Sequence, residues 1–213
     1  MSELTPAISK NSKILGLFAV ACTSAVALVQ LFTEDRIELQ AQQQLIKQLN
    51  QVIKTSSHDN EMFRDCILSP ANNNIELLID VIYRARLNNV PTAAAIKTVA
   101  PDGYSGNIEL LIAINIDGSV SGVRTLLHKE TPGLGDKIEL RKSDWIETFA
   151  GKKVLDNNDN RWAVIKDGGM FDQFTGATIT PRAVVKTVRK TIDYFQANQE
   201  VIFNTASNCG AEL

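Results

Sequence analysis

The run Asp172-Gln173-Phe174-Thr175-Gly176-Ala177-Thr178-Ile179-Thr180-Pro181 brings small and hydroxyl-bearing residues directly up to a helix start. Thr180 is a good N-cap. Pro181 suits the first helical position, because its φ is already helical and its missing N–H would be unpaired there anyway. Behind it Val184, Val185, Val188, Ile192 and Phe195 recur at helical spacing, with Arg182, Lys186, Arg189, Lys190 and Asp193 on the other side. The spacing predicts an amphipathic helix beginning at Thr180. Its first turn carries unpaired N–H groups and a partial positive charge, so the loop ahead of it is a natural seat for a phosphate. Gly176 and Ala177 add little bulk, which lets a ligand reach the backbone and leaves the Thr178 hydroxyl accessible. The same residues also suit an ordinary capped helix after a turn, since one glycine is a weak phosphate signal.

A second segment, His128-Lys129-Glu130-Thr131-Pro132-Gly133-Leu134-Gly135, is Gly/Pro-rich, so its backbone is exposed and shaped. It can lie against a flat ring, or simply connect two elements. Asp172-x-x-Thr175-Gly176-Ala177-Thr178 resembles the D-x-x-[S/T]-G-A-T motif of FMN-binding domains in which a flavin transferase esterifies FMN, through its phosphate, to the last threonine. Glu130-Thr131-Pro132-Gly133-Leu134-Gly135 resembles the E-T-P-G-L-G segment of the same family. With one N-terminal span and this length, the pair of motifs resembles the G subunits of the Rnf/Rsx electron-transport complex, relatives of the C subunits of the sodium-pumping NADH:quinone reductase.

The resemblance implies FMN covalently bound to Thr178, with Asp172, Thr175, Gly176 and Ala177 completing the recognition sequence. It brings Glu130, Thr131, Gly133 and Leu134 near the flavin, with His128 and Glu130 near the mouth of the loop, and Thr180 completes the cofactor-binding set. It also implies partners: the membrane flavoprotein and iron–sulfur subunits of the same complex, and the flavin transferase.

The elements that must position these residues follow a membrane signal. Residues 14–32, ILGLFAVACTSAVALVQLF, are apolar except for Thr23, Ser24 and Gln30. At about 1.5 Å per residue they nearly span a hydrocarbon core that needs roughly 20 residues. Lys10 and Lys13 precede the run and Glu34 and Asp35 follow it, which puts the N-terminus in the cytoplasm and the bulk of the chain outside it. For a bacterial chain that is the inner membrane with a periplasmic domain. A cleaved signal peptide has a shorter apolar run, and Ala19-Val20-Ala21-Cys22 only faintly matches a lipoprotein site, so the run reads as an uncleaved anchor. The expected organisation is a cytoplasmic 1–13, a transmembrane 14–32, a helical stalk 33–60 and an FMN-binding domain 61–213. Leu45, Leu49 and Val52 form a stripe on the stalk that folds on its own domain or meets a partner subunit. Glu34, Asp35 and the stalk are the contact candidates.

His58, in the break 56–60, reads as a solvated loop residue. Residues 75–87, led by Asn72-Asn73-Asn74, keep helical spacing through Leu77, Leu78, Val81, Ile82 and Ala85. Residues 93–100 read as a strand, Pro101-Asp102-Gly103 as a turn, and 108–116 and 120–127 as strands joined by the Asp117-Gly118 hairpin signal. Residues 143–150 read as a short helix stopped by Gly151, with Trp145 and Phe149 on one face. The run 156–160 is a turn, preferred to a calcium loop because the glycine and final glutamate of that loop are missing. Residues 162–165 read as a strand feeding Asp167-Gly168-Gly169. Cys66 and Cys209 either bridge or stay buried as free thiols.

Composition narrows the function classes. Lys and Arg number 22 against 24 Asp and Glu, so no basic excess recruits nucleic acid. The two histidines, His58 and His128, and the lack of Cys-x-x-Cys spacing leave no zinc or iron–sulfur set, so a redox cofactor here is organic. The expected fold class is α+β, a mostly antiparallel sheet with packed helices. The expected function is an electron relay in an ion-translocating oxidoreductase complex, with no turnover by the isolated chain. The competing class is a non-catalytic single-span module for assembly or sensing. An anchored soluble-type flavin enzyme is a third, for which only His128 and Glu130 offer acid or base groups.

Overall fold

The computed structural model describes residues 4–68, 77–156 and 158–209. The chain divides into two compact units at Gln44 and Leu45, and a long helix, α1 (Leu4–Val52), runs through the division. In the first unit the stretch Asn11–Glu34 is long and apolar enough to cross a membrane, about 36 Å at the helical rise. Its large side chains, among them Leu15, Phe18 and Val29, are exposed within the chain. Thr23 satisfies its hydroxyl on the carbonyl of Ala19 at 2.8 Å, which removes a polar cost inside an apolar run.

The second unit is built on a five-stranded antiparallel meander: β1 (Cys66–Leu68), β2 (Leu78–Leu87), β3 (Val90–Gly103), β4 (Gly106–Asn115) and β5 (Val120–Leu127), in that spatial order. Successive residues point to opposite faces, and here both faces are covered. On one face Ile82, Ala94, Ile96, Leu110, Ile112 and Ile114 pack with Val184, Val188, Ile192 and Phe195 of the second long helix, α2 (Ile179–Asn204). On the other, Val81, Tyr83, Ala85, Ala95, Leu111 and Ala113 pack with Leu49, Val52, Ile53 and Met62. The stalk stripe therefore lies on its own domain, with Leu45 against the same cluster.

Four local expectations are corrected. Residues 78–87 form β2, not a helix. Burial on both faces erases the polar alternation that marks a strand, and what remains imitates a helical stripe. Asn88 and Asn89, at φ of 51° and 65°, make the tight turn into β3. Residues 72–76 lie outside the described residues. The turn expected at 101–103 falls at Tyr104 and Ser105, because β3 continues to Gly103, which pairs with Gly106. Residues 162–165 form no strand. Val164 makes one bridge with Phe171 and a single 3-10 turn follows at Ile165–Asp167, because Trp162 and Val164 are drawn into the core cluster with Phe149 and Phe171. His58 is half-buried, with Nε2 out of contact with solvent and without a partner among the described residues, because it sits in a hollow lined by Leu49, Asn50, Asn60 and Met62.

Other local readings agree with the structure. Ser143 caps a short 3-10 helix, Asp144–Phe149, by accepting from the Trp145 N–H, and Trp145 and Phe149 meet edge to face at 5.3 Å. Cys66 and Cys209 form a disulfide, with Cα atoms 5.7 Å apart. Beside it Arg84, buried and paired with Asp65, donates to the carbonyls of Ile202 and Thr205, while Arg86 donates to that of Phe203. The last turn of α2, whose carbonyls a helix leaves unpaired, is thereby tied to the sheet.

Candidate functional site

Three separate segments close on one cleft of about 300 Å³: Tyr104 from the β3–β4 turn, Glu130, Thr131, Leu134 and Gly135 from the loop after β5, and Gly176 to Thr180 from the start of α2. The sheet fixes the first two by its register. The third is set by the core. Phe174 is buried against Trp145 with ring centroids 5.0 Å apart, and the Trp145 indole N–H donates to the Asp172 carbonyl at 2.8 Å. From that anchor the chain turns tightly, with the Ala177 N–H donating to the Phe174 carbonyl at 3.1 Å. The turn needs φ of +82° at Gly176, where a side chain is strained and would also press on Leu134.

Thr178 is the residue flanking α2, in helical conformation and half-exposed on the cleft, and among the described residues its hydroxyl has no hydrogen-bond partner. Thr180 is not the cap. It lies inside the first turn, fully buried, and its hydroxyl donates to Oε2 of Glu130. The helix starts earlier than Pro181 implied because a proline is tolerated anywhere in the first turn, where N–H groups are unpaired in any case.

Of the residues expected at the site, Glu130, Thr131, Leu134, Gly176, Ala177, Thr178 and Thr180 line the cleft together. Asp172, Thr175 and Gly133 do not line it. Asp172 and Thr175 are exposed on the approach to the turn, and Gly133 is exposed with φ of +77° at the bend of its loop. His128 is not at the mouth either. Its Nε2 lies 2.8 Å from Oε1 of Glu139 and its Nδ1 accepts the Glu130 N–H at 3.1 Å, so the proton sits on Nε2 and the ring steadies the loop from behind. Arg141, and after it His128, hold the Glu139 carboxyl below its ordinary range. On the exposed side of α2, Arg182 grips Asp167 with two bonds of 2.6 Å and Lys186 pairs with Asp102, each lowering its partner's carboxyl.

Two features escaped sequence reasoning. Tyr104 lines the cleft although it is 67% exposed; an aromatic residue at a turn between Gly103 and Gly106 was the available signal. Glu130 is buried, not exposed at a mouth, and no local pattern announces a carboxylate whose partners lie 25 and 50 residues away.

A cleft with a free threonine hydroxyl, unpaired helix N–H groups and exposed Leu134 and Ile179 beside Tyr104 fits a phosphate-bearing flat ring. Residues 103–193 match the model of the FMN-binding domain, and residues 1–52 that of the RnfG N-terminal region. The fold and site thus define an FMN-binding domain. The G subunit of the ion-translocating oxidoreductase complex of Vibrio atlanticus is 50% identical over 97% of this chain and 99% of its own length. The G subunits of the same complex from Shewanella loihica and Vibrio vulnificus are 51% and 52% identical, over 95% and 96% of this chain and 96% and 97% of their own. This chain belongs to the family of ion-translocating oxidoreductase complex G subunits. The solved structure of Shewanella oneidensis NqrC aligns over 55% of this chain and 61% of its own, at 21% identity and a TM-score of 0.42.

Proposed function

We propose that this chain is a membrane-anchored flavoprotein subunit whose FMN is joined through its phosphate to Thr178, and that it relays electrons within a multi-subunit complex coupling their transfer to ion movement. The observation that carries this reading is the half-exposed, unpartnered Thr178 hydroxyl on a cleft walled by both family segments. When bound, FMN supplies the reversible electron chemistry, and the chain supplies position and environment. The first-turn N–H groups of α2 would hold the phosphate, and Tyr104, Leu134 and Ile179 would offer an apolar side to the isoalloxazine ring. Asp172 and Thr175, outside the cleft, serve recognition by the flavin transferase, which reads the extended approach to the turn.

In this reading residues 1–13 are cytoplasmic, 14–32 cross the bacterial inner membrane once, 33–60 form the stalk and 61–213 form a periplasmic domain. The bias of Lys10 and Lys13 over Glu34 and Asp35 supports the orientation, and the Cys66–Cys209 disulfide suits an oxidising compartment. The neighbours are the membrane flavoprotein and iron–sulfur subunits of the complex. A covalent link keeps the redox centre from being lost outside the cytoplasm.

The test is intact mass after denaturation, with peptide mapping across residues 172–182 of protein from its native membrane. A mass excess of one FMN less water on the Thr178 peptide is expected, and Thr178→Ala removes it. An unmodified peptide from cells with an active flavin transferase would return the chain to the class of non-catalytic assembly or sensing modules.

A further inference from the structure

The carboxylate of Glu130 is enclosed at the base of the cleft. Its Oε1 accepts the Ser105 N–H at 2.9 Å, from the β3–β4 turn, and its Oε2 accepts the Thr180 hydroxyl, from the first turn of α2. Two glycines make room for it. A Cβ on Gly103 would stand 3.0 Å from Oε1, and one on Gly135 would stand 3.0 Å from Oε2 and 2.9 Å from the Thr180 hydroxyl. The residue is 4% exposed, and no ion pair among the described residues includes it. Several nearby basic side chains are paired with other carboxylates: Arg141 with Glu139, Lys142 with Asp136, Arg182 with Asp167 and Lys186 with Asp102.

We infer that Glu130 is a positioning residue that also sets the redox potential of the bound flavin, holding it low by placing an anion stabilised only by neutral donors beside the ring. The inference rests on the reading of this cleft as the FMN site. A carboxylate that accepts from one N–H and one O–H bridges the hairpin turn, the loop after β5 and α2, so all three walls of the cleft keep one geometry. Its charge is spread over two neutral donors but not cancelled. Two-electron reduction of a flavin takes up one proton to give an anionic reduced ring, or two to give a neutral one. A nearby anion opposes the added charge, and more strongly through protein than through water.

The test uses the full-length chain purified with its flavin in detergent, and reads the two-electron midpoint potential. Glu130→Gln keeps the shape and at least one hydrogen bond but removes the charge. It is expected to make the potential more positive by about 30 mV, a tenfold change in the reduced-to-oxidised ratio. Thr180→Val keeps the charge and removes one donor, so it is expected to shift the potential the other way. A purely structural role predicts no such opposition of sign. Shifts of the same sign, or neither variant moving the ratio by as much as threefold, would overturn the inference. If Glu130→Gln retains no flavin, Thr180→Val decides alone: a more negative potential upholds the inference, and an unchanged or more positive one overturns it. An unmodified Thr178 in the parent chain would overturn the attachment without touching this comparison, which is then read on non-covalently held FMN.

Discussion

The indole N–H of Trp145 donates to the main-chain carbonyl of Asp172 at 2.8 Å, fastening the start of the Asp172–Thr178 loop to a buried 3-10 turn. Trp145 also holds Phe174 edge to face, so a single side chain grips the motif twice, two residues apart. Trp145→Phe keeps part of the ring contact and loses the bond. We expect a stability loss of about 1 to 2 kcal/mol by denaturant unfolding, with slower flavin incorporation by the transferase, because the turn leading to Thr178 is less sharply held. Incorporation at the parent rate would show that the grip is not used.

Gly135→Ala tests the other wall. The added methyl meets Thr180 and Glu130 within 3.0 Å, and neither end is free to retreat. Overpacking of this kind costs about 1 to 3 kcal/mol. The expected outcome is a lower unfolding midpoint together with reduced flavin occupancy by intact mass. Gly133→Ala, with nothing within 4 Å, should show only the strain of its positive φ, about 1 kcal/mol, and normal occupancy.

The disulfide should dominate the stability of the domain. Cys66 and Cys209 are 143 residues apart, so the bridge closes almost the whole domain into one loop. Replacing both by serine is expected to cost about 3 to 5 kcal/mol, read as the loss of denaturant resistance in the full chain. Asp65→Ala, beside it, strips the carboxylate from the buried Arg84 and should cost about 3 kcal/mol, because the guanidinium keeps only neutral partners. The two losses should not be additive, since both release the C-terminal end of α2.

Tyr83 makes stability depend on alkaline pH. Burial, and then the charge of Asp80, push its hydroxyl up to about 12 from an ordinary value near 10. A raised value means that the fold favours the neutral phenol. That stability is therefore complete below about pH 10 and is lost as pH rises from there to about 12. The size is about 2 to 3 kcal/mol for two units. Unfolding free energies at pH 9 and pH 12 should differ by that much more in the parent than in Tyr83→Phe. Equal pH dependence in the two would remove the assignment.

Patterns that live within a few residues could be read directly. The apolar run of residues 14–32, the Asp117-Gly118 hairpin, the stripe from Val184 to Phe195 and the two loop motifs each declare themselves inside one window, because a helical face, a tight turn or a span is a local demand on residue type. Tertiary contact decided the rest. Residues 78–87 are a strand through their pairing with β1 and β3, and cover on both faces of the sheet hides the period that names a strand. Thr180 exchanged the role of cap for that of a buried anchor because Glu130 reaches it from 50 residues away. Tyr104 joined the cleft through the register of β3 on β4, and Cys66 met Cys209 through the return of α2 to the sheet edge. Each of these depends on which distant groups the fold brings within hydrogen-bond or contact distance, and a short window of sequence contains only one side of such a pair.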